Sequence, residues 1–349
     1  MRLCITTQVV DSDDPVLGFF HRWIEELATH FESIEVICLQ EGRHALPQNV
    51  RVHSLGKERG RASRLVYATR FLRVSWRLRH QYDRVFVHMN PEYAVLAGIL
   101  WRLSRKRIVL WYTHRQVTLM LRTALLLCHA VATAAPESLR LRSPKVHVIG
   151  HGIDTRVFTT SHDGTLHDPL RVVSVGRITP IKRLETLLDA LALLKARGLP
   201  AELVLIGASA MPRDEAYQRG LIAQARALGI ETQVRFAGAR PYRDMPEAYR
   251  TNDISINLAP TGGIDKAVLE SMAAGIPALV ANEAFRPLFG ADASALMFDS
   301  SPSDLADTVE ALVVRPNAER ARLSERLAET ARTQADLGRT IGRLVALLS

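Results

Sequence analysis

The chain has 349 residues, 47% apolar and 23% charged, proportions that exclude a disordered chain, a collagen or a disulfide scaffold and suffice for about two domain cores. The formal net charge is +9, but residues 1–150 carry 22 basic and 12 acidic side chains, a balance of +10, and the remainder is close to neutral. That asymmetry points to an anionic surface for the first half alone.

Cys4, Cys38 and Cys128 are odd in number and lack metal-ligand spacing, which reads as reduced thiols in a cytoplasmic protein. Met1-Arg2 runs into LCITTQVV with no cleavage-site pattern, so no signal peptide is expected. The most apolar stretch, 119–135, is broken by Arg122 and His129, so no transmembrane helix is expected either.

In chain order, the first half alternates strand-like runs (RLCITTQVV at 2–10, SIEVICLQ at 33–40, RVFVHM at 84–89, RIVLWYTH at 107–114) with amphipathic segments such as 22–31. The loop at 9–23 holds Asp13, Asp14 and Gly18 between a strand and a helix. Its carboxylates either bind hydroxyls of a ligand or stand solvated. Segment 57–79 has eight basic residues and one acidic. As a helix it places Arg70, Arg73 and Arg77 on one face and Leu65, Leu72 and Trp76 roughly opposite. That pattern suits either a membrane-surface helix or a domain helix with a solvated basic face. No nucleic-acid motif accompanies it.

The polar stretch 159–169 separates the halves. We expect an N-terminal domain over 1–160, a second over 161–330, and a C-terminal helix in 331–349 packing back on the first. In the second half RVVSVGRI (171–178), AELVLIGA (201–208), QVRFAGA (233–239), DISINLAP (253–260) and PALVANE (277–283) read as strands with helices between them. The whole predicts βαβ units on parallel sheets, two Rossmann-like domains facing a cleft, with ligands at the carboxyl ends of strands. No GxGxxG follows the first strand, which disfavours a dinucleotide dehydrogenase.

Two segments carry chemistry. In 172–198 a strand ends at Gly176-Arg177, Thr179 and Pro180 suit a helix start, and leucines repeat at helical spacing to Gly198. Arg177 and Lys182 then bracket a helix N-terminus, a site for a diphosphate. In 259–283 a strand leads through a Thr-Gly-Gly loop to a helix carrying Glu270, where a carboxylate near the helix start would accept ribose hydroxyls.

These two segments in this order, with VLIG (204–207), VRFAG (234–238) and GHGID (150–154), resemble the donor domain of the retaining glycosyltransferases of family 4, group 1 enzymes with the GT-B fold. The resemblance implies that Arg177 and Lys182 hold the donor diphosphate and Glu270 the nucleotide ribose. It places Gly263, Ile264, Asp265 and Lys266 where backbone amides meet phosphate and sugar, Gly238 beside the base, and His114 over the transferred sugar. The first glutamate of the family's Glu-x7-Glu pattern is replaced here by Gly262. Either Asp265 supplies the missing carboxylate, with Lys266 offsetting its charge, or Asp265 is a helix cap, or the chain has lost transfer activity. Asp265 and His114 are the expected catalytic residues.

The expectation is a cytoplasmic glycosyltransferase, peripheral on the inner face of the membrane. It would use a UDP- or GDP-sugar as co-substrate, with no further cofactor and no metal. The acceptor would be a saccharide or a polyprenyl-linked molecule, in polysaccharide or glycolipid assembly. A silent subunit partnering an active enzyme is the alternative, and a sugar epimerase is disfavoured for want of cleft carboxylates.

Overall fold

The computed structural model describes every residue except 160–162, 210, 261 and 262. The chain divides into two compact units. The first comprises Met1–Asp154, Pro241–Arg243 and Asp336–Ser349, and the second Thr155–Arg240 and Asp244–Ala335.

The first unit runs β1 (Arg2–Val10), α1 (Phe19–Ala28), β2 (Ser33–Glu41), β3 (Val50–Ser54), α2 (Arg64–Arg77), β4 (Arg84–His88), α3 (Pro91–Leu103), β5 (Arg107–Trp111), α4 (Leu119–Leu127), β6 (Ala130–Thr133) and β7 (Val146–Val148). The strands form one sheet, ordered β3-β2-β1-β4-β5-β6-β7, and every pairing is parallel. Helices cover both faces, which explains the nearly continuous apolar strands. One face packs Phe20, Trp23, Ile24 and Phe86 with residues of the last helix of the chain. The other packs Phe71, Tyr82, Tyr93 and Trp101. All three cysteines are buried and free. Burial pushes the Cys38 and Cys128 thiols up to about 12, far from reactive thiolates.

The second unit runs β8 (Leu170–Val175), α5 (Leu184–Ala196), β9 (Ala201–Ile206), α6 (Pro212–Ala227), β10 (Val234–Gly238), α7 (Met245–Arg250), β11 (Ile254–Asn257), α8 (Lys266–Ala273), β12 (Ala278–Val280), α9 (Arg286–Phe289), α10 (Ala293–Leu296), α11 (Pro302–Val313) and α12 (Asn317–Gln334). Its sheet is also parallel, in the order β10-β9-β8-β11-β12. The chain then returns to the first unit. Helix α13 (Leu337–Leu348) buries Leu337, Ile341, Leu344 and Leu348 on one stripe, and its Leu347 carbonyl accepts from Arg107 Nε at 2.6 Å.

In both sheets the strand order reverses beside the first strand, between β1 and β4 and between β8 and β11. Ligand crevices of open α/β sheets open at such switch points, outside the carboxyl ends of the strands.

Two sequence expectations change. The helix after β8 does not begin at Pro180. Pro180–Lys182 form a single 3-10 turn, Arg183 takes a left-handed conformation at φ 48°, and α5 starts at Leu184. In α2 the buried residues are Phe71 and Ser75. Leu65, Leu72 and Trp76, the expected apolar face, are 78%, 37% and 55% exposed. The loop between β3 and α2 sets that rotation, because Arg70 Nη1 donates to the Leu55 carbonyl at 2.8 Å and holds the helix to it.

Candidate active site

The second unit builds its site at the ends of β8, β9 and β11. Gly176 follows β8 and Gly207 follows β9, with φ of 145° and 151°. A Cβ at Gly207 would fall 1.9 Å from the Gly176 carbonyl oxygen. The two turns therefore touch through bare backbone, which only glycine allows. A Cβ at Gly176 would sit 3.0 Å from Lys182 Cε, so the missing side chain leaves the lysine its path across the turn. The Gly207 amide donates to the Gly238 carbonyl at 2.9 Å, tying the end of β10 to the same floor.

Lys182 is ion-paired with the carboxylate of Asp265, and both side chains are mostly withdrawn from water. Asp265 also accepts from Asn257 Nδ2 at 2.8 Å and from the Ala267 amide at 3.2 Å. The last contact makes it the N-cap of α8. Burial pushes the Asp265 carboxyl up. The Lys182 charge and the hydrogen bonds from Lys182, Asn257 and Ala267 more than offset this, so it stays below the ordinary aspartate value.

Glu270 is not near the start of α8 but in its second turn, where it is 5% exposed. Lys266 Nζ lies 3.5 Å from its carboxylate, and the Tyr249 hydroxyl, also 2.9 Å from the Ala267 carbonyl, stands 3.4 Å away. Burial lowers the Lys266 ammonium to about 8 even though Glu270 opposes it. Gly263 and Ile264 are half-buried in the lead-in, and the Gly263 carbonyl accepts from Asn282 Nδ2 at 3.4 Å. Gly262 lies outside the described residues.

Arg177 is exposed, and its guanidinium contacts no side-chain partner among the described residues. The free amides expected at the start of α5 are partly committed, since the Leu184 amide donates to the Tyr217 hydroxyl at 2.8 Å. Any anion-binding strength here rests on the two cations more than on the helix end. Asn257, Tyr249 and Asn282 complete the network, and no motif in the sequence marks them.

The first unit holds a cavity of about 840 Å³. Gln8 of β1, His88 and Asn90 at the end of β4, and His114 after β5 line one part of it. Gln8 Nε2 donates to Asn90 Oδ1 at 3.2 Å, and the His88 ring stacks on Phe20 at 3.7 Å. Between His88 and Asn90, Met89 has a φ of 64°, a left-handed backbone that an unbranched residue other than glycine rarely adopts. His114 is exposed and its Nδ1 accepts from the Gln116 amide at 3.2 Å.

The loop carboxylates are otherwise engaged. Asp14 Oδ1 accepts from the Val16 and Leu17 amides at 2.8 and 2.6 Å. Asp13 pairs with Arg43 at 3.1 Å and with Arg243. Gly18 precedes α1, and a Cβ there would lie 2.5 Å from the Asp14 carbonyl oxygen. These three shape the loop, whereas its apolar residues Val16 and Leu17, which sequence reasoning passed over, face the cavity.

Two parallel α/β domains with a switch-point site in each define the GT-B class. Over 99% of its length the chain superposes on 98% of Anabaena Alr3699/HepE, solved in complex with UDP and glucose, with a TM-score of 0.76 at 18% identity. The chain belongs to the glycosyl transferases of group 1, whose family pattern matches residues 160–334, half of its length. Amylovoran biosynthesis glycosyltransferase AmsK of Erwinia amylovora is 30% identical over 139 residues, 38% of this chain and 33% of that protein. D-inositol 3-phosphate glycosyltransferase of Saccharomonospora viridis is 29% identical over 188 residues, 52% of this chain and 44% of that protein. The matches thus span less than half the length of these two relatives. Among the described residues no helix is long and apolar enough to cross a membrane.

Proposed function

We propose that the protein is a retaining glycosyltransferase of family 4. It moves a sugar from a UDP- or GDP-linked donor to a saccharide or polyprenyl-linked acceptor, at the inner face of a membrane, in polysaccharide or glycolipid assembly. The observation that carries the reading is the pairing of Lys182 with Asp265 beside the unpaired Arg177, at strand ends of a unit that matches the group 1 family. The names of the relatives, one in amylovoran biosynthesis and one acting on an inositol phosphate, support the substrate class.

In this reading Arg177 and Lys182 take the donor diphosphate and stabilise the charge that develops as it leaves the anomeric carbon. Glu270 takes the ribose hydroxyls. Asp265 steadies Lys182 and is the carboxylate this reading assigns to the donor sugar in place of the one missing at Gly262. The family resemblance assigns His114 to the transferred sugar as well. The departing phosphate accepts the acceptor's proton, so retention needs no separate base.

The test is release of nucleoside diphosphate from UDP-glucose, UDP-galactose and GDP-mannose, with and without saccharide acceptors, after a thermal-shift screen. A donor at 100 times its Kd adds about 2.7 kcal/mol of stability. Turnover supports the reading. Donor binding with no turnover on any acceptor favours the silent subunit, and no donor binding at all overturns both.

A further inference from the structure

Lys266 stands where local chemistry argues against a lysine. It is the first residue of α8, at the positive end of the helix dipole, where a cation is disfavoured. Its side chain is also mostly withdrawn from water, which costs a charged group dearly unless it is paired. The neighbouring Asp265 carboxylate is taken up by Lys182, Asn257 and the Ala267 amide. The carboxylate that Lys266 faces is instead Glu270, one helical turn on, at 3.5 Å. A residue held against its local preference is expected at a functional or strained position.

Glu270 is buried, and its two oxygens have different neighbours. Oε1 faces the Lys266 ammonium at 3.5 Å and Oε2 the Tyr249 hydroxyl at 3.4 Å. Both separations exceed the length of a tight charge-assisted bond, about 2.7–2.9 Å. Lys266 therefore supplies counter-charge without gripping the oxygen it faces. That matters because a buried carboxylate lacking counter-charge tends to take up a proton, and a carboxylic acid has less acceptor capacity than a carboxylate. The ammonium, lowered by burial to about 8, is still charged at neutral pH. Tyr249 fixes the arrangement, its hydroxyl 2.9 Å from the Ala267 carbonyl in the same turn as Lys266. Burial, with the Glu270 charge beside it, pushes that phenol well above its ordinary value, so it stays neutral.

We infer that Lys266 is a positioning residue for the donor nucleotide: its ammonium holds Glu270 as an ionised carboxylate able to accept two hydroxyls, and so sets a preference for ribose over deoxyribose. The inference rests on the reading that Glu270 takes the ribose hydroxyls. It adds the group that keeps that carboxylate fit for the task, and it gives Lys266 a role toward Glu270 rather than toward the adjacent Asp265.

Calorimetry on the full chain measures UDP, GDP and their 2′-deoxy and 3′-deoxy analogues. Wild type should bind the better ribonucleotide about 10–100-fold more tightly than either deoxy analogue, the worth of a hydrogen bond to a charged group. Lys266→Met should shrink that ratio to about two- to threefold, the low end for a neutral hydrogen bond. Lys266→Gln, polar but uncharged, should do the same and covers a folding failure of the methionine variant. Glu270→Gln should lower the ratio as far, and adding Lys266→Met to it should lower the ratio no further, because the lysine acts through that carboxylate. A lysine needed only for structure would weaken every nucleotide alike and leave the ratio intact. An unchanged ratio in both Lys266 variants, or a further fall in the double variant, overturns the inference and leaves the transferase reading standing. Equal affinity of wild type for ribo- and deoxynucleotides removes the ribose role of Glu270 and the inference with it. Absence of any nucleotide binding overturns the transferase reading itself, and this inference falls too.

Discussion

Asp265 caps α8 and at the same time holds the ammonium of Lys182, 83 residues earlier in the chain. One carboxylate thus sets the start of a helix and the position of the cation proposed to meet the donor. Its two oxygens divide the work: Oδ1 accepts from the Ala267 amide, and Oδ2 takes Lys182 and Asn257.

That division separates two substitutions. Asp265→Asn keeps a good N-cap and removes the charge. It should leave thermal stability near that of the wild type and lower turnover by about 10²-fold, as loss of a charge-assisted contact at the reacting group does. Asp265→Ala should in addition cost about 1 kcal/mol of stability for the lost cap. Equal turnover in wild type and Asp265→Asn would reduce Asp265 to a cap. Because its carboxyl is held below the reference value of 3.8, the ion pair's contribution is complete above that pH. It is lost only as pH falls through the lower folded value.

Lys182→Ala and Arg177→Ala should each weaken UDP or GDP binding about 10–100-fold, the worth of a hydrogen bond to a charged group. The fold should survive, because Lys182 sits on a 3-10 turn and Arg177 is exposed. Calorimetry reads the affinity and circular dichroism the fold. Unchanged affinity in both variants would remove the diphosphate role.

Lys266 predicts an alkaline signature. Its folded value of about 8 lies below the reference 10.5, so between those values the unfolded chain binds more protons than the folded one. Stability contributed at this position therefore rises with pH across that window. Urea denaturation at pH 7.5 and pH 10 should show wild type gaining on Lys266→Met as pH increases. Glu270→Gln, which removes the partner that raises the lysine, should move the onset of that gain to lower pH. A flat difference between wild type and Lys266→Met would mean the ammonium is better solvated than its burial suggests.

The basic, apolar-studded surface around α2 should bind anionic vesicles. Each cation near such a surface contributes about 1 kcal/mol, fading with salt. Flotation with phosphatidylglycerol vesicles should retain the protein at low salt and release much of it at moderate salt, while neutral vesicles retain little. Replacing Trp76, which is 55% exposed under Arg79 at 4.1 Å, by Ala should weaken retention without loss of stability. Equal retention on both vesicle types would assign the surface another purpose.

Much of this protein is local and was readable as such. Alternating apolar runs and amphipathic stretches suffice to specify parallel βαβ units, because strand and helix periods are set by neighbouring residues. The leucine stripe of α5 and the stop at Gly198, with φ 84°, followed in the same way. The start of α5 has the right residues in the wrong context. Thr179 and Pro180 suit a cap, yet Arg183 breaks the turn and Tyr217 of α6 receives the first amide of α5. Only packing decided which face of α2 is buried, since Phe71 and Leu72 are equally apolar and the Arg70 anchor to Leu55 turns the former inward. The Lys182–Asp265 pair and the cavity of the first unit depend on elements far apart in sequence. A pattern within one segment carries no information about which charge or wall will face it, and the tertiary structure alone settles that.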